Sequence, residues 1–172
     1  WKYLKHLYDM GIDAWWTDST EPDRFDMTER HFSLPTADGT FRSVHNAFPL
    51  MANKGIYENQ RAISNDKRLY LMTRSSSFGQ QRYGSFCWSG DVVSQWDVMR
   101  KQIAAGLNYT LCGIPYWNTD IGGFFGWEYG NDWTDVAYKE LQVRWMQWGC
   151  FMPIMRNHCS SPMETEIYKL GN

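Results

Sequence analysis

The segment Gly11-Ile-Asp-Ala-Trp-Trp-Thr-Asp18-Ser-Thr-Glu21-Pro22 decides how this chain folds. An apolar, aromatic run ends in a carboxylate, two hydroxyl side chains, a second carboxylate and a proline. A buried barrel strand has this pattern where its carboxyl end delivers an acidic side chain to the mouth of a site. The run Phe86-Cys-Trp-Ser-Gly-Asp91 repeats the pattern. The sequence therefore predicts acidic side chains at the ends of two separate strands.

The composition indicates an ordinary globular domain. The chain has 172 residues, 43% of them hydrophobic, which is enough for one domain with a core of its own. Its 17 basic and 19 acidic residues give a net charge of -2 and form no basic stripe, which argues against a nucleic-acid partner. No apolar stretch approaches the roughly 18 residues that a membrane span requires.

The aromatic residues and the cysteines indicate which kinds of binding site to expect. Aromatic residues make up 17% of the chain and include 10 Trp, and such rings stack well on the apolar faces of sugars. A Trp-rich core accounts for most of them, so only a few are expected in a site. The four cysteines form no Cys-x-x-Cys pair, so we expect buried free thiols rather than a zinc site. They leave the cellular compartment open.

Strand and helix signals alternate along the chain. After a first helix that Gly11 ends, apolar runs predict five strands with helices between them, at 12–16, 69–73, 85–88, 109–117 and 151–155. This alternation is typical of a parallel sheet with crossover helices. Five strands are too few to close an eight-stranded barrel, and an open doubly wound sheet is the competing architecture. The absence of a Gly-x-Gly-x-x-Gly or P-loop motif weakens a nucleotide-binding interpretation.

Polar, charged or aromatic side chains follow every predicted strand. Because the carboxyl ends of parallel barrel strands open on one side, these side chains would surround a single cavity. In strand order they are Asp18 and Glu21; Arg74; Trp88 and Asp91; Trp117 and Asp120; Arg156 and His158.

Five of these residues also have a purely structural interpretation. Asp18 fits a turn, and Asp91 fits the N-cap of the helix that follows it. Arg74 fits an ion pair, Asp120 fits a turn cap, and His158 fits a hydrogen-bonded loop histidine. The coincidence of such residues at every predicted strand end favours a common site.

Four motifs lie along these strand ends: Thr-Arg74-Ser-Ser, Trp-Ser-Gly-Asp91, Asp120-Ile-Gly-Gly-Phe124 and Arg156-Asn-His158. Together with Asp18 and in this order, they resemble glycoside hydrolase family 31, whose members are retaining α-glycosidases on a (β/α)8 barrel. The resemblance runs from Gly11 to His158. It implies an α/β fold, namely a partial (β/α)8 TIM barrel from about strand 4 to about strand 8. It also implies that residues 1–172 are a single segment, the C-terminal part of the catalytic domain.

The resemblance implies a role for each matching residue. Asp18 would be the catalytic nucleophile and Asp91 the general acid/base, so the first must be ionised and the second must start protonated. Neither a metal nor a cofactor is implied. The substrate-binding residues would form two groups. Polar contacts to the sugar and its hydroxyl groups would come from Glu21, Arg74, Asp120 and His158, and the aromatic walls of the pocket from Trp88, Trp117 and Phe124.

Departures from the family pattern bear on the substrate. Many family α-glucosidases have Asp-Met-Asn-Glu where this chain has Asp18-Ser-Thr-Glu21. The pair Trp15-Trp16 and the run Gly79-Gln-Gln-Arg-Tyr83 resemble the branch that acts on α-xylosides, including xyloglucan oligosaccharides. The expected activity is hydrolysis of terminal α-linked xylose by retaining double displacement. An α-glucosidase or α-glucan transglycosidase is the alternative, whereas a non-catalytic sugar-binding module would not need the two acids.

The chain begins at Trp1 and ends at Asn172, and we expect it to be part of a longer protein. The missing N-terminal half of the barrel would be needed for a complete site. Without that half, an apolar sheet edge would be open to water, so we expect the isolated segment to be inactive and poorly stable. An oligosaccharide or a small α-glycoside is the expected binding partner.

Overall fold

The computed structural model describes residues 1–12, 14–21 and 27–170. The chain forms two compact units, Trp1–Cys87 and Trp88–Asn172. Across the described residues, no helix has both the length and the apolar character needed to span a membrane.

The first unit alternates strands and helices. Short 3₁₀ helices at His45–Ala47 and Gln80–Tyr83 supplement its main elements. In chain order these are α1 (Lys5–Asp9), β1 (Ala14–Thr17), α2 (Glu29–Phe32), β2 (Pro35–Thr36), β3 (Gly39–Thr40), α3 (Phe41–Val44), α4 (Phe48–Ile63), β4 (Tyr70–Thr73) and β5 (Ser85–Trp88), the last residue of which begins the second unit.

Three of these strands pair in parallel in the order β1-β4-β5, as the alternation of strand and helix signals predicts. Thr17 lies opposite Thr73 at the carboxyl end of the first pair, and Thr73 lies opposite Cys87 in the second. A core of Trp15, Ile56, Leu69 and Leu71 packs helix α4 onto the sheet, and α1 contributes Leu7 and Tyr8 to its margin. Each such buried side chain stabilises the fold by about 1.5–3 kcal/mol.

The alternation of side chains along β1 divides its two tryptophans between the faces of the sheet. Gly11, with φ +105°, ends the first helical segment in a backbone conformation that favours glycine. Trp15 is then buried on the helix side, where its Nε1 donates a hydrogen bond to Oε1 of Gln60 at 2.7 Å. Trp16 points to the opposite face and is 52% exposed. That face lines the interior when such a sheet closes into a barrel.

The polar stretch between Glu21 and Thr40 contains regular structure in its described part. Helix α2 is followed by an antiparallel hairpin, in which Pro35 lies opposite Thr40 and Thr36 lies opposite Gly39. The Asp38-Gly39 pair is a hairpin signal that the polarity of the region concealed, and Gly39 takes φ +126° there.

The second unit contains two long helices. It consists of α5 (Trp96–Leu111), β6 (Trp117–Asn118) and α6 (Val136–Gly149), with short 3₁₀ helices at Trp127–Tyr129 and Ile167–Lys169. Asp135 caps α6 because its side chain accepts a hydrogen bond from the backbone of Tyr138 at 2.9 Å. The core of this unit is formed by Ile121, Leu141 and Trp145.

Two strand predictions in this unit are wrong. Residues 109–111 continue α5, and the ring of Tyr109 stacks on Trp117, so only Trp117–Asn118 is extended. Residues 151–155 are irregular because turns continue past the end of α6 and Pro153 has no N–H to donate to a ladder. A parallel bridge between Ile121 and Asn157 lies just after the range predicted for the fifth strand.

Candidate active site

In the first unit, strand register brings Asp18 and Arg74 together. Because Thr17 pairs with Thr73, the next residue on each strand leaves the sheet at the same place. The Nε atom of Arg74 lies 3.1 Å from Oδ1 of Asp18. The same guanidinium contacts the carboxylate of Glu21, and its Nη2 donates to Oγ of Ser19 at 3.1 Å.

The turn that carries Asp18 is tightly shaped. Ser19 has φ +53°, a left-handed conformation that non-glycine residues seldom adopt, and its N–H donates to Oδ1 of Asp18 at 2.7 Å. The Asp18 side chain is 42% exposed, whereas that of Arg74 is only 15% exposed. A half-exposed carboxylate is therefore held from one side by a nearly buried cation.

A buried glutamine that the sequence analysis did not single out supports the segment after β4. Gln80 is fully buried, its Nε2 donates to the carbonyl of Ser75 at 3.1 Å, and its Oε1 accepts from the backbone of Ser77 at 3.1 Å. It lies at the start of the 3₁₀ helix Gln80–Tyr83, and the glycines on either side of that helix, Gly79 and Gly84, are the feature of the sequence that indicates a fixed turn. Gln80 thus fixes the backbone that leads away from Arg74.

In the second unit, Asp120 and Arg156 form a buried ion pair. Asp120 is fully buried, and Nη2 of Arg156 lies 3.1 Å from its Oδ1. The guanidinium of Arg156 also lies over the ring of Trp88, 5.2 Å from the ring centroid. Arg156 follows a predicted strand but is not among the predicted site residues. The structure makes it the partner of two predicted site residues.

Two other predicted site residues meet in this unit. The rings of Phe124 and His158 lie 5.2 Å apart at an interplanar angle of 35°. Ser160 ties the two segments together, since its N and Oγ both donate to the carbonyl of Phe124, at 2.9 and 3.1 Å. Trp117 is buried and packs its ring against Tyr109 and Trp148, and its assignment as a pocket wall stays a prediction.

Asp91 is itself exposed and lies in the segment that follows β5. The N-cap of α5 is Gln95, so the helix-cap interpretation of Asp91 is wrong. Asp18 belongs to the first unit and Asp91 to the second, and their approach to one substrate stays a prediction. No group of three or more His, Cys, Asp or Glu side chains placed to hold a metal ion occurs among residues 1–12, 14–21 and 27–170.

A polar network from α6 supports the segment that carries Arg156. The hydroxyl of Tyr138 donates to Oε1 of Gln142 at 3.2 Å, and Nε2 of Gln142 donates to Oδ1 of Asn157 at 3.2 Å. Burial raises the pKa of the Tyr138 phenol, so this group remains a hydrogen-bond donor. A side chain at Gly122 would overlap Oε1 of Gln142, which explains why the Gly-Gly step lies here.

Comparison with known proteins decides the family. The family profile described as the glycosyl hydrolases family 31 TIM-barrel domain matches residues 1–172. The chain belongs to glycoside hydrolase family 31. Its fold is accordingly part of the family's TIM barrel, and the open doubly wound sheet is excluded.

Two related proteins align in sequence with nearly the whole of this chain. An α-xylosidase from Saccharolobus solfataricus is 48% identical over 163 residues, which are 92% of this chain and 21% of that protein. An α-glucosidase from Bacillus thermoamyloliquefaciens is 33% identical over 93% of this chain and 20% of its own length. The chain therefore spans about a fifth of the length of these relatives.

A solved family 31 structure also matches. The crystal structure of an α-xylosidase from Xanthomonas citri superposes with a TM-score of 0.87 at 39% identity, over 99% of this chain and 19% of that one. Both units of the chain thus correspond to a known family 31 barrel.

Proposed function

We propose that the full-length protein is a retaining α-xylosidase that removes terminal α-linked xylose from oligosaccharides. In this proposal residues 1–172 are the C-terminal part of its (β/α)8 catalytic domain. The main support is the contact of Arg74 with Asp18 and Glu21 at the ends of two neighbouring parallel strands. The substrate follows from the similarity to α-xylosidases at 48% and 39% identity.

The first step forms a covalent bond between Asp18 and the sugar. A carboxylate oxygen of Asp18 attacks the anomeric carbon while the glycosidic C–O bond breaks. Asp91 transfers its proton to the departing oxygen. Since Oδ1 of Asp18 already accepts from Ser19 and faces Arg74, Oδ2 is the oxygen expected to attack.

The second step releases the sugar. Asp91, now ionised, takes a proton from a water molecule, which attacks the anomeric carbon as the bond to Asp18 breaks. Two inversions retain the configuration, and the mechanism requires the two carboxyl groups to lie about 5 Å apart. The remaining contacts to the sugar are assigned to Glu21, Arg74, Trp88, Trp117, Asp120, Phe124 and His158.

An α-glucosidase or α-glucan transglycosidase is the second candidate, because an α-glucosidase relative matches 93% of this chain. Its two acids would do the same chemistry. The difference would lie in the space for the C6 hydroxymethyl group of glucose, which xylose lacks, and in whether water or a sugar accepts the glycosyl group.

Hydrolysis by the full-length protein tests the proposal. p-Nitrophenyl α-xyloside and α-glucoside are offered separately to the wild type, to Asp18→Ala and to Asp91→Ala, with Asp9→Ala and Asp97→Ala as matched controls. The controls remove exposed carboxylates that pair with Lys5 and Lys101 on helix surfaces. We expect a preference for the xyloside, loss of activity in the first two variants only, and an α-configured product by NMR.

Each component of the proposal has its own contrary result. Activity that survives Asp18→Ala would remove the nucleophile assignment. Preference for the glucoside would replace the α-xylosidase by the second candidate, and an inverted product would exclude the retaining mechanism.

A further inference from the structure

A cluster of hydroxyl groups lies beneath the turn that carries Asp18. Thr20 is buried, at 8% exposure, although it stands between the exposed Ser19 and the partly exposed Glu21. Its Oγ1 lies 2.6 Å from Oγ1 of Thr73 and 2.8 Å from Oγ of Ser75, and it accepts a hydrogen bond from the backbone N–H of Ser75 at 3.2 Å. A side chain of the turn thus reaches back to the end of β4.

These three contacts use the whole bonding capacity of one hydroxyl. A threonine hydroxyl donates one hydrogen bond and accepts two. Since the backbone of Ser75 takes one acceptor position, one of the Thr73 and Ser75 hydroxyls donates to Thr20 and the other accepts from it. A valine at this position would keep the volume and leave the backbone N–H of Ser75 without this acceptor.

The cluster and Arg74 hold the turn from two sides. Thr73 and Ser75, the chain neighbours of Arg74, hold Thr20, while Arg74 itself contacts Asp18 and Glu21. The turn and the end of β4 are therefore interlocked. Motion of Thr20 would move Asp18, two residues before it, relative to the guanidinium.

The backbone of the turn needs such an anchor. The left-handed conformation of Ser19 costs about 1–3 kcal/mol and persists only where the surroundings determine it. Ser19 is itself exposed, so its own side chain is not packed into the core. The buried group next to it is Thr20.

We propose that Thr20 is a positioning residue for the nucleophile: its hydroxyl, bonded to Thr73 and Ser75, fixes the turn that presents Asp18 to the anomeric carbon. This inference rests on the proposed function, in which Asp18 is the nucleophile. Thr20 acts through Asp18 and does not itself touch the substrate. Loss of its hydroxyl should therefore slow the step in which Asp18 attacks and leave substrate binding nearly intact.

The test compares Thr20→Val with Thr20→Ser in the full-length protein. Thr20→Val removes the hydroxyl at constant volume, and we expect kcat for p-nitrophenyl α-xyloside to fall about 10- to 100-fold with KM changed less than about threefold. Thr20→Ser keeps the hydroxyl and should recover kcat to within about threefold of the wild type. Thr110→Val is the control, since it removes an exposed hydroxyl that bonds the carbonyl of Gly106 on α5.

A second measurement isolates the attack by Asp18. 5-Fluoro-α-xylosyl fluoride traps the covalent glycosyl–enzyme, so its rate of labelling reports nucleophilic attack without turnover. We expect Thr20→Val to slow labelling by the same factor as kcat, while a thermal melt shows the variant to be folded at the assay temperature. A purely structural role would lower the amount of active protein and leave the labelling rate of the folded fraction unchanged.

The outcomes separate the inference from the proposed function. If Asp18→Ala abolishes activity and Thr20→Val is as fast as Thr20→Ser, only the positioning role of Thr20 is excluded. If Asp18→Ala remains active, the nucleophile assignment fails, and the role of Thr20 fails with it.

Discussion

The Nε atom of Arg74 lies 3.1 Å from Oδ1 of Asp18. The same guanidinium binds the hydroxyl of Ser19, which is 55 positions away in the sequence. The contact follows from the parallel pairing of Thr17 with Thr73, which ends both strands at one level. A guanidinium fork suits this place because it reaches Asp18, Ser19 and Glu21 at once. A point charge could satisfy only part of that set.

The first prediction concerns this fork. We expect Arg74→Lys to lower kcat/KM of the full-length protein by about 100-fold, because an ammonium group cannot hold the two carboxylates and the Ser19 hydroxyl together. Arg61→Lys is the matched control, since Arg61 bonds the carbonyl of Lys67 at 2.8 Å on the surface of the unit. Steady-state kinetics give kcat/KM for both variants. An equal change in kcat/KM for the two would show that a positive charge alone suffices at Arg74.

The second prediction concerns the buried ion pair. Arg156→Met would remove the cation that pairs with the fully buried carboxylate of Asp120, and we expect the free energy of unfolding to fall by about 3–5 kcal/mol. Arg144→Met breaks an exposed pair with Glu140 and should cost less than about 1 kcal/mol. Urea denaturation of the two variants gives the comparison, and a similar shift for both would contradict a special cost of burial.

The third prediction concerns Gly122. A Cβ atom there would lie 1.5 Å from Oε1 of Gln142, and the backbone has φ +87°. We expect Gly122→Ala to destabilise the protein by about 3 kcal/mol or more, since Gln142 must leave its partners. Gly130→Ala has φ +61° but open space around the new atom, so it measures the backbone cost alone, at about 1–2 kcal/mol. A lower Tm for Gly130→Ala than for Gly122→Ala in thermal melts would contradict the predicted overlap with Gln142.

The fourth prediction concerns the core hydrogen bond beneath β1. Gln60→Met removes the acceptor of the Trp15 indole N–H inside the core, and we expect a loss of about 1–3 kcal/mol because the donor stays buried. Gln81→Met, on the exposed face of the 3₁₀ helix after β4, is the control and should change stability by less than about 0.5 kcal/mol. Equal unfolding midpoints for the two variants would show that the indole finds another acceptor.

The sequence predicted the part of the fold that local periodicity determines. The strands predicted at 12–16, 69–73 and 85–88 appear within a few residues of those bounds, and long helices alternate with strands as predicted. Tyr109 was predicted to lie in a strand because aromatic and β-branched residues favour strands. Packing of a helix overrides that preference here. The ring of Tyr109 stacks on Trp117 from the last turns of α5.

The candidate site was predictable to the extent that polar residues follow strands. Asp18 and Arg74 meet as expected from parallel strand ends. Phe124 and His158 also meet, although the strand predicted before His158 is not formed. The supporting residues were not predictable in the same way. Gln80, Thr20 and Gln142 are ordinary polar residues in the sequence, and only their burial in three dimensions gives them importance.

The pairing of β1 with β4 also limits which insertions and deletions the gene can accept during evolution. Loss of one residue between Gly11 and Trp15, with the ladder kept, would carry Trp16 to the helix side and turn Asp18 to the wrong face. The exposed tip at residues 37–38 carries no ladder pair and can absorb added length. Length variation among homologues is therefore expected at this tip, and the spacing from Trp15 to Asp18 should be constant.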